Sequence, residues 1–489
     1  MPYDYTDASK ELFGIVFESK AKGFLVGMEF MAIVQGRIMY LKEGEPREEV
    51  FPDLQIHQPE YKRISHDMAR RLATGGEYID QSELDRLFDP NDPHRSKKTR
   101  ILIQKLLQQL IHREPLLRTR KEPTWFGSYF FPYESGLIHH EAVEDPVPPD
   151  HPSVSAFQNK DRFRNKNRRS RPNADDLYVP KLRRYQFRDG GKLAFNFLRH
   201  DRDLERKEKI SMGFKRFLGS SSNSLTKLME VIQKVDFAKS DNTTRQDDIN
   251  PIITSNWDSN TWCERFCFGI DNLLNIEVPF SKKMDMIMVW VPYCTARYQI
   301  EQAHLETGEG DTWNALCTIT DDANLRKKSR DRVRSTENML RNAYRSKFED
   351  NAEDLPPGFD VGRLMKRVNN YSGFAIGSLA LCGALNSLTG SRYFTIKNKL
   401  LSTIVAAELD SVSGAGSMAL DEFIVDVLFK RHDLIIDMNL TNDGQSMLRI
   451  DSSRFENNKA ALERRLVETG NARKYSDSTT IIEGVKGSK

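Results

Sequence analysis

Hydrophobic residues recur at helical spacing through most of the second half of this chain. Leu225, Leu228, Met229, Ile232 and Val235 keep a three-to-four residue interval behind Ser224, a residue type that caps helices well. Trp262, Phe266, Ile270, Leu273 and Leu274 do the same. Leu420, Phe423, Ile424, Val427 and Leu428 sit at offsets 0, 3, 4, 7 and 8, the strongest amphipathic stripe in the sequence. Met284–His304 is apolar in its first half and contains Pro292, so two antiparallel helices or a strand followed by a helix both fit. Phe374–Leu388, rich in Gly, Ala and Ser, predicts a core helix with close neighbours. Leu325–Phe348 predicts a charged helix whose Arg326, Lys327, Lys328, Arg330, Arg332 and Arg334 lie close together. Such a run is most often a solvated face and more rarely one that tracks phosphates.

Shorter patterns mark both ends. Near the N-terminus, Phe24–Val34 and Ile38–Leu41 around Gly36 predict a hairpin, and Pro46, Pro52 and Pro59 prevent a long helix after it. From Ile64 to Phe131 a helix (Ser65–Thr74, stopped by Gly75-Gly76) leads into a short strand, Glu77–Ile79. Asp80 and Glu83 then form a capping box for a second helix. A third helix runs through Ile103, Leu106, Leu107 and Leu110, followed by strands at Leu116–Arg120 and Trp125–Phe131. The C-terminal end has a related order. Lys397–Leu409 is helical, Ser411–Gly416 breaks it, and the 420–428 stripe follows. Leu434–Ile436 and Met447–Ile450 predict an inserted hairpin. Ser453 and Glu456 then cap a helix ended by Gly470, and Ala472–Tyr475 pairs with Thr479–Glu483.

Both orders of elements resemble a winged helix, the helix-turn-helix variant that presents one helix and one hairpin to DNA. The expected fold class is therefore mostly α (α+β), with two winged-helix-like modules flanking a helical middle region. The expected organisation is a small mixed α/β N-terminal cap on the first module (1–60) and a winged-helix-like domain (61–140). A flexible Pro-rich and basic linker (141–180), a helical domain (181–395) and a C-terminal winged-helix-like domain (396–489) complete it. Such modules at both ends resemble, in outline, the kleisin-type bridging subunits of chromosome-organising ATPases and some replication initiators. The resemblance is one of topology and carries no diagnostic motif.

Composition adds less. Of 489 residues, 38% are hydrophobic and 29% charged, enough for real cores in a polar chain. The net charge of +3 means that any electrostatic signal is local. Glu141–Asp150 is acidic and proline-rich, and Lys160–Arg171 carries seven basic residues in twelve. A segment like this buries too little apolar surface to order itself, and a solvated linker and a basic arm on phosphates fit it equally. The five cysteines form no CxxC pair and suit a reducing compartment. The acidic start (Asp4, Asp7, Glu11) argues against a secretory signal, and the longest apolar runs fall short of the ~20 residues a bilayer span needs. A cytoplasmic protein without membrane contact is expected.

Catalytic constellations are weak. Asp53, Glu60 and Lys62 imitate the acidic pair and lysine of metal-dependent nucleases, but they lie too close in sequence for two strands. His139 and His140 lack the spacing that puts two histidines on one helical face. Cys263 and Cys267 share a helical face without further ligands nearby, so packing beside Trp262 and Phe266 explains them. There is no phosphate-cradling GxxxxGK[ST] loop. No metal, cofactor or enzymatic activity is expected.

The binding signal is stronger. Arg95 to Glu122 holds nine basic residues against two acids. With the leucines inward, Lys97, Lys98, Arg100, Gln104 and Gln108 are the expected DNA-facing helix positions, and Arg118, Arg120 and Lys121 decorate the wing. In the second module Arg454, Arg464, Arg473 and Lys474, with Asn457 and Asn458, are candidate phosphate contacts. There eight basic residues face six acids between Asp451 and Lys489, so protein interaction fits as well. The expected function is a non-enzymatic DNA-associated subunit of a larger DNA-processing, chromosome-organising or antiviral defence assembly. Its expected partners are double-stranded DNA, held through phosphates without sequence preference, and other protein subunits, an ATPase being one candidate. The alternatives are a metal-dependent nuclease component with acids drawn from distant segments, and a protein scaffold that binds no nucleic acid.

Overall fold

The computed structural model describes residues 3–17, most of 26–34, 51, 140–143, 182–185, 190–219, 252–308, 313–354, 362, 365, 368, 373–409, 416–437, 451–476 and 479–484. The expected first module, with Lys97, Lys98, Arg100, Gln104, Gln108, Arg118, Arg120 and Lys121, lies outside these residues, as does the helix expected at Leu225–Val235. The chain divides into two compact units, one of residues 54–187 and 222–249 and the other of residues 1–53, 188–221 and 250–489. In the first, β1 (His140–Val143) pairs antiparallel with β2 (Leu182–Tyr185), His140 opposite Tyr185. Glu141, expected to open a linker, is thus a strand residue.

The second unit is mostly helical among its described residues. Its order is α1 (Tyr5–Phe13), α2 (Gly191–Arg199), α3 (Leu204–Gly219), α4 (Trp262–Asn275), α5 (Phe280–Thr307), β3 (Ala315–Leu316), α6 (Ala323–Asp350) and α7 (Gly373–Cys382). There follow α8 (Asn398–Glu408), β4 (Ser417–Ala419), α9 (Leu420–Glu422), β5 (Leu434–Ile435), α10 (Ser452–Glu468), β6 (Ala472–Lys474) and β7 (Thr480–Glu483).

The core is built around α5. Its sequence fits two helices or a strand with a helix; the segment is one continuous helix that runs through Pro292. From Met284 to Ala303 it buries nearly every side chain, which is how a helix surrounded by others differs from an amphipathic surface helix. On α4, Trp262, Phe266, Ile270, Leu273 and Leu274 are all buried as their spacing predicts. The close α4–α5 approach needs Gly269, because a Cβ there would overlap the Trp290 ring. Trp290 Nε1 donates to the Phe266 carbonyl at 3.2 Å, so the ring is held by a polar as well as an apolar contact.

The N-terminal segment also differs from its expectation. Residues 26–34 are helical at every described position, not a hairpin strand. An unbroken apolar run does not distinguish strand from helix by period alone. What decides is the packing around the run, since every residue whose burial is described there, Val26, Phe30, Ile33 and Val34 among them, is buried. Glu29, in the same run, is buried too and accepts from the Lys192 backbone N–H at 3.0 Å, serving the start of α2. Asp4 caps α1 through the Thr6 and Asp7 amides. Tyr5 of α1 stacks on Tyr344 of α6, with ring centroids 5.2 Å apart.

At the C-terminal end, α8 forms where the sequence places it. The 420–428 stripe is buried at all five positions, but the helix widens into a π-helix over Phe423–Phe429. One pairing is added and one helix cap is corrected. Leu434-Ile435 pairs in parallel with Ala315-Leu316 of β3, while its expected hairpin partner, Met447–Ile450, lies outside the described residues. The cap of α10 is Asp451, which accepts from Ser453 N at 3.0 Å; the box of Ser453 and Glu456 places the start two residues late. Gly470, at φ 72°, ends the helix, and β6 and β7 pair as expected. The sequence pattern misses β4, which pairs antiparallel with β7 and completes a sheet of order β4-β7-β6.

Candidate functional site

Two places in the second unit concentrate polar chemistry: the outer face of α10 with its hairpin, and a buried cluster around His432. On α10, Phe455, Asn458, Leu462 and Leu466 turn inward. Asn457, Ala460, Arg464 and Val467 are exposed, as one helical face should be. Arg473, Lys474 and Tyr475 are exposed on the hairpin. The hairpin is tied to the helix through Glu463, which accepts from Thr480 Oγ1 at 2.5 Å and pairs with Lys474 at 3.5 Å.

The candidate residues divide accordingly. Arg464 is exposed on α10, and Arg473 pairs with Glu483 at 3.3 Å while remaining exposed. Exposed pairs of this kind contribute about 0–1 kcal/mol, so phosphate oxygens can compete for the same cations. Arg454 is differently placed: its guanidinium bonds Asp322, the N-cap of α6, and so joins two helix starts. Asn458 is not a phosphate contact. It is fully buried, accepts from Ile319 N at 2.7 Å and donates to the Cys317 and Ile436 carbonyls at 2.9 and 3.1 Å. Its amide satisfies backbone groups beside the β3–β5 pair, where a leucine would leave them stranded.

The buried cluster is one the sequence pattern does not announce. His432, with no exposed surface, lies 2.9 Å through Nε2 from Glu408 Oε1 and 3.1 Å through Nδ1 from the Tyr293 hydroxyl. Tyr293 stacks on the imidazole, and Trp262 and Trp290 meet it edge-on. Arg431 pairs with the second Glu408 oxygen at 2.5 Å. Next in the chain, Asp433 adopts φ 52°, a left-handed conformation that Asp tolerates better than most residues. There its carboxylate accepts from Arg297 at 2.6 Å. The Arg297 guanidinium sits over Trp262 and Trp313, 4.8 and 4.0 Å from their centroids.

Electrostatics assign the protons. Burial opposes charge on Glu408, yet the hydrogen bond from His432, with the charges of Arg431 and Arg265, brings its carboxyl below the ordinary range. Burial lowers His432, the Glu408 contact opposes this, and Arg265 and Arg297 lower it further. The consistent arrangement is an ionised Glu408 accepting from a neutral His432 whose Nδ1 accepts from Tyr293. The imidazole has no access for a substrate, so the cluster holds α5, α8 and the 431–433 turn together. The signals in the sequence are one carboxylate in the apolar run Leu400–Leu409 and the polar triplet Arg431-His432-Asp433 between apolar stripes.

Among the described residues no group of His, Cys, Asp and Glu side chains is arranged to hold a metal ion. Burial raises the thiols of Cys263 and Cys267 well above the usual value, and Cys267 donates to the Phe197 carbonyl at 3.4 Å, consistent with packing. Among the described residues no helix is long and apolar enough to cross a membrane. Comparison with protein-family models, curated proteins and solved structures finds no match to this chain.

Proposed function

We propose that this chain is a non-enzymatic, DNA-associated subunit of a larger assembly, and that its C-terminal part is a winged-helix-like module. The observation that carries this reading is the sheet order β4-β7-β6 set against α8, α9 and α10. A strand ahead of the last two helices pairs with the far strand of the final hairpin. That order matches the helix-plus-wing architecture used on duplex DNA. Exposed Arg464, Arg473 and Lys474 on the helix and wing agree with phosphate contact. The nine basic residues between Arg95 and Glu122 supply a denser cationic footprint. A process such as chromosome organisation or antiviral defence is the setting in which such a subunit serves.

The test is duplex affinity across a salt series. Reversing Lys97, Arg100, Arg118 and Arg120 to Glu together should weaken binding severely and flatten the salt dependence. Reversing Arg464, Arg473 and Lys474 should do less, because their surroundings are nearly charge-balanced. If the first variant binds like the parent at every salt concentration, the protein-scaffold reading replaces this one.

A further inference from the structure

Helix α6 carries charge in an arrangement that folding alone does not favour. Its buried side is regular: Leu325, Ser329, Val333, Thr336, Leu340 and Tyr344 face the core. On the other side Lys327, Arg330, Arg334, Arg341 and Arg345 follow one another at intervals of three, four, seven and four residues, which keeps them on one face. Lys327, Arg334 and Arg345 are exposed along it, with Arg330 and Arg341 half-buried. From Lys327 to Arg345 the stripe extends roughly 27 Å at about 1.5 Å per residue.

Two features make the stripe costly to the isolated protein. Arg330 and Arg334, and likewise Arg341 and Arg345, are like charges four residues apart, an unfavourable spacing on a helix. Neutralisation is sparse: Arg334 reaches Asp331 only at 3.8 Å, and Glu337, the other acid of this stretch, is engaged by Arg392 at 2.5 Å. Lys327, Arg330 and Arg345 form no ion pair among the described residues.

We infer that this face of α6 is a second nucleic-acid surface, a straight track for the phosphate backbone of duplex DNA. The inference rests on the proposed DNA association and adds a site to it. A polyanion supplies the charge that the stripe lacks. The face has no aromatic side chain on which bases could stack, so it suits a paired backbone better than single strands. Arginine and lysine on phosphates fix position without reading sequence. The Arg454–Asp322 bond joins the start of α6 to the start of α10, which puts the track and the proposed reading helix on one compact unit.

The experiment uses the full chain and a 30-base-pair duplex of arbitrary sequence, with affinity measured across a salt series. A variant with Lys327→Gln, Arg330→Gln, Arg334→Gln and Arg345→Gln should bind roughly tenfold or more weakly at low salt. Its plot of log affinity against log salt should be shallower by about 3.6, at about 0.9 for each of the four phosphates no longer neutralised. Its melting temperature should equal or exceed that of the parent, since repulsion is relieved, which distinguishes a weakened surface from a damaged fold. If the parent binds and the variant keeps its slope, the track is overturned and the DNA reading stands. If the parent shows no salt-dependent duplex binding, both fall. If the variant loses only binding to phosphatidylserine vesicles and keeps its DNA slope, the stripe is a membrane-facing surface and the inference is likewise overturned.

Discussion

His432 donates its Nε2 hydrogen to Glu408 across 2.9 Å, with both side chains buried. The two residues come from different parts of the C-terminal region. Glu408 is the last residue of α8, and His432 follows the π-helix Phe423–Phe429. A π-helix is an uncommon use of backbone, and it ends in the turn that delivers Arg431, His432 and Asp433 to their partners, Glu408 for the first two and Arg297 for the third.

Acid should therefore loosen this region. His432 lies below its ordinary 6.5 in the folded protein, so the unfolded chain takes up a proton first on acidification. Its contribution to stability is complete above about pH 6.5 and falls as the pH drops below that value. The Glu408 contribution, from a carboxyl held below 4.5, is lost at still lower pH. Urea unfolding measured at roughly pH 7 and pH 5.5 should show stability falling with acid, with a smaller fall in His432→Gln. Equal slopes in the two proteins would remove His432 from the explanation.

Phe423 is fully buried at the centre of the 420–428 stripe. Phe423→Ala should cost about 3–5 kcal/mol in chemical denaturation, from reduced apolar burial plus the cavity left behind. A variant melting with the parent would contradict this packing.

Two glycines should respond in opposite directions to alanine. At Gly191 an added Cβ would overlap the Phe30 amide nitrogen and come within 2.7 Å of the Val26 carbonyl oxygen, backbone atoms that cannot step aside. Gly191→Ala should lower the melting temperature clearly. At Gly377, inside α7, none of the described residues comes within 4 Å of the same position. Gly377→Ala should stabilise by about 0.5–1 kcal/mol, because alanine loses less backbone entropy in a helix. Thermal melts of both variants decide the matter, and destabilisation of each alike would reject it.

The thiols should be inert. Burial raises Cys267 and Cys294 well above the usual value and Cys317 to about 12, which leaves almost no thiolate near neutral pH. A disulfide reagent should label these three slowly in the native protein and fast in urea. Fast native labelling of Cys317 would show that the β3 region opens.

Periodicity alone determined the helices whose two sides differ. Trp262 to Leu274 and the charged helix with its inward Leu325 and Tyr344 fold as their spacing requires, and the 420–428 stripe is buried as its spacing requires though through a π-helix, because one side of each is apolar and packs while the other is polar. Gly470 and the strands after it were legible for the same local reason, a glycine in the left-handed region followed by short alternating runs. Tertiary structure decided what period cannot carry. Residues 26–34 and the first half of α5 are apolar nearly all round, so only their neighbours settle that each is a helix. The pairing of Leu434-Ile435 with Ala315-Leu316 joins strands more than a hundred residues apart, and nothing local announces a parallel partner. Asn458 reads as a surface amide until the Cys317 and Ile436 carbonyls, just past β3 and β5, give it a buried use. Glu408 and His432 are an ordinary acid and an ordinary base in the sequence, and they act on each other only because α8 and the 431–433 turn close on the same side of Tyr293.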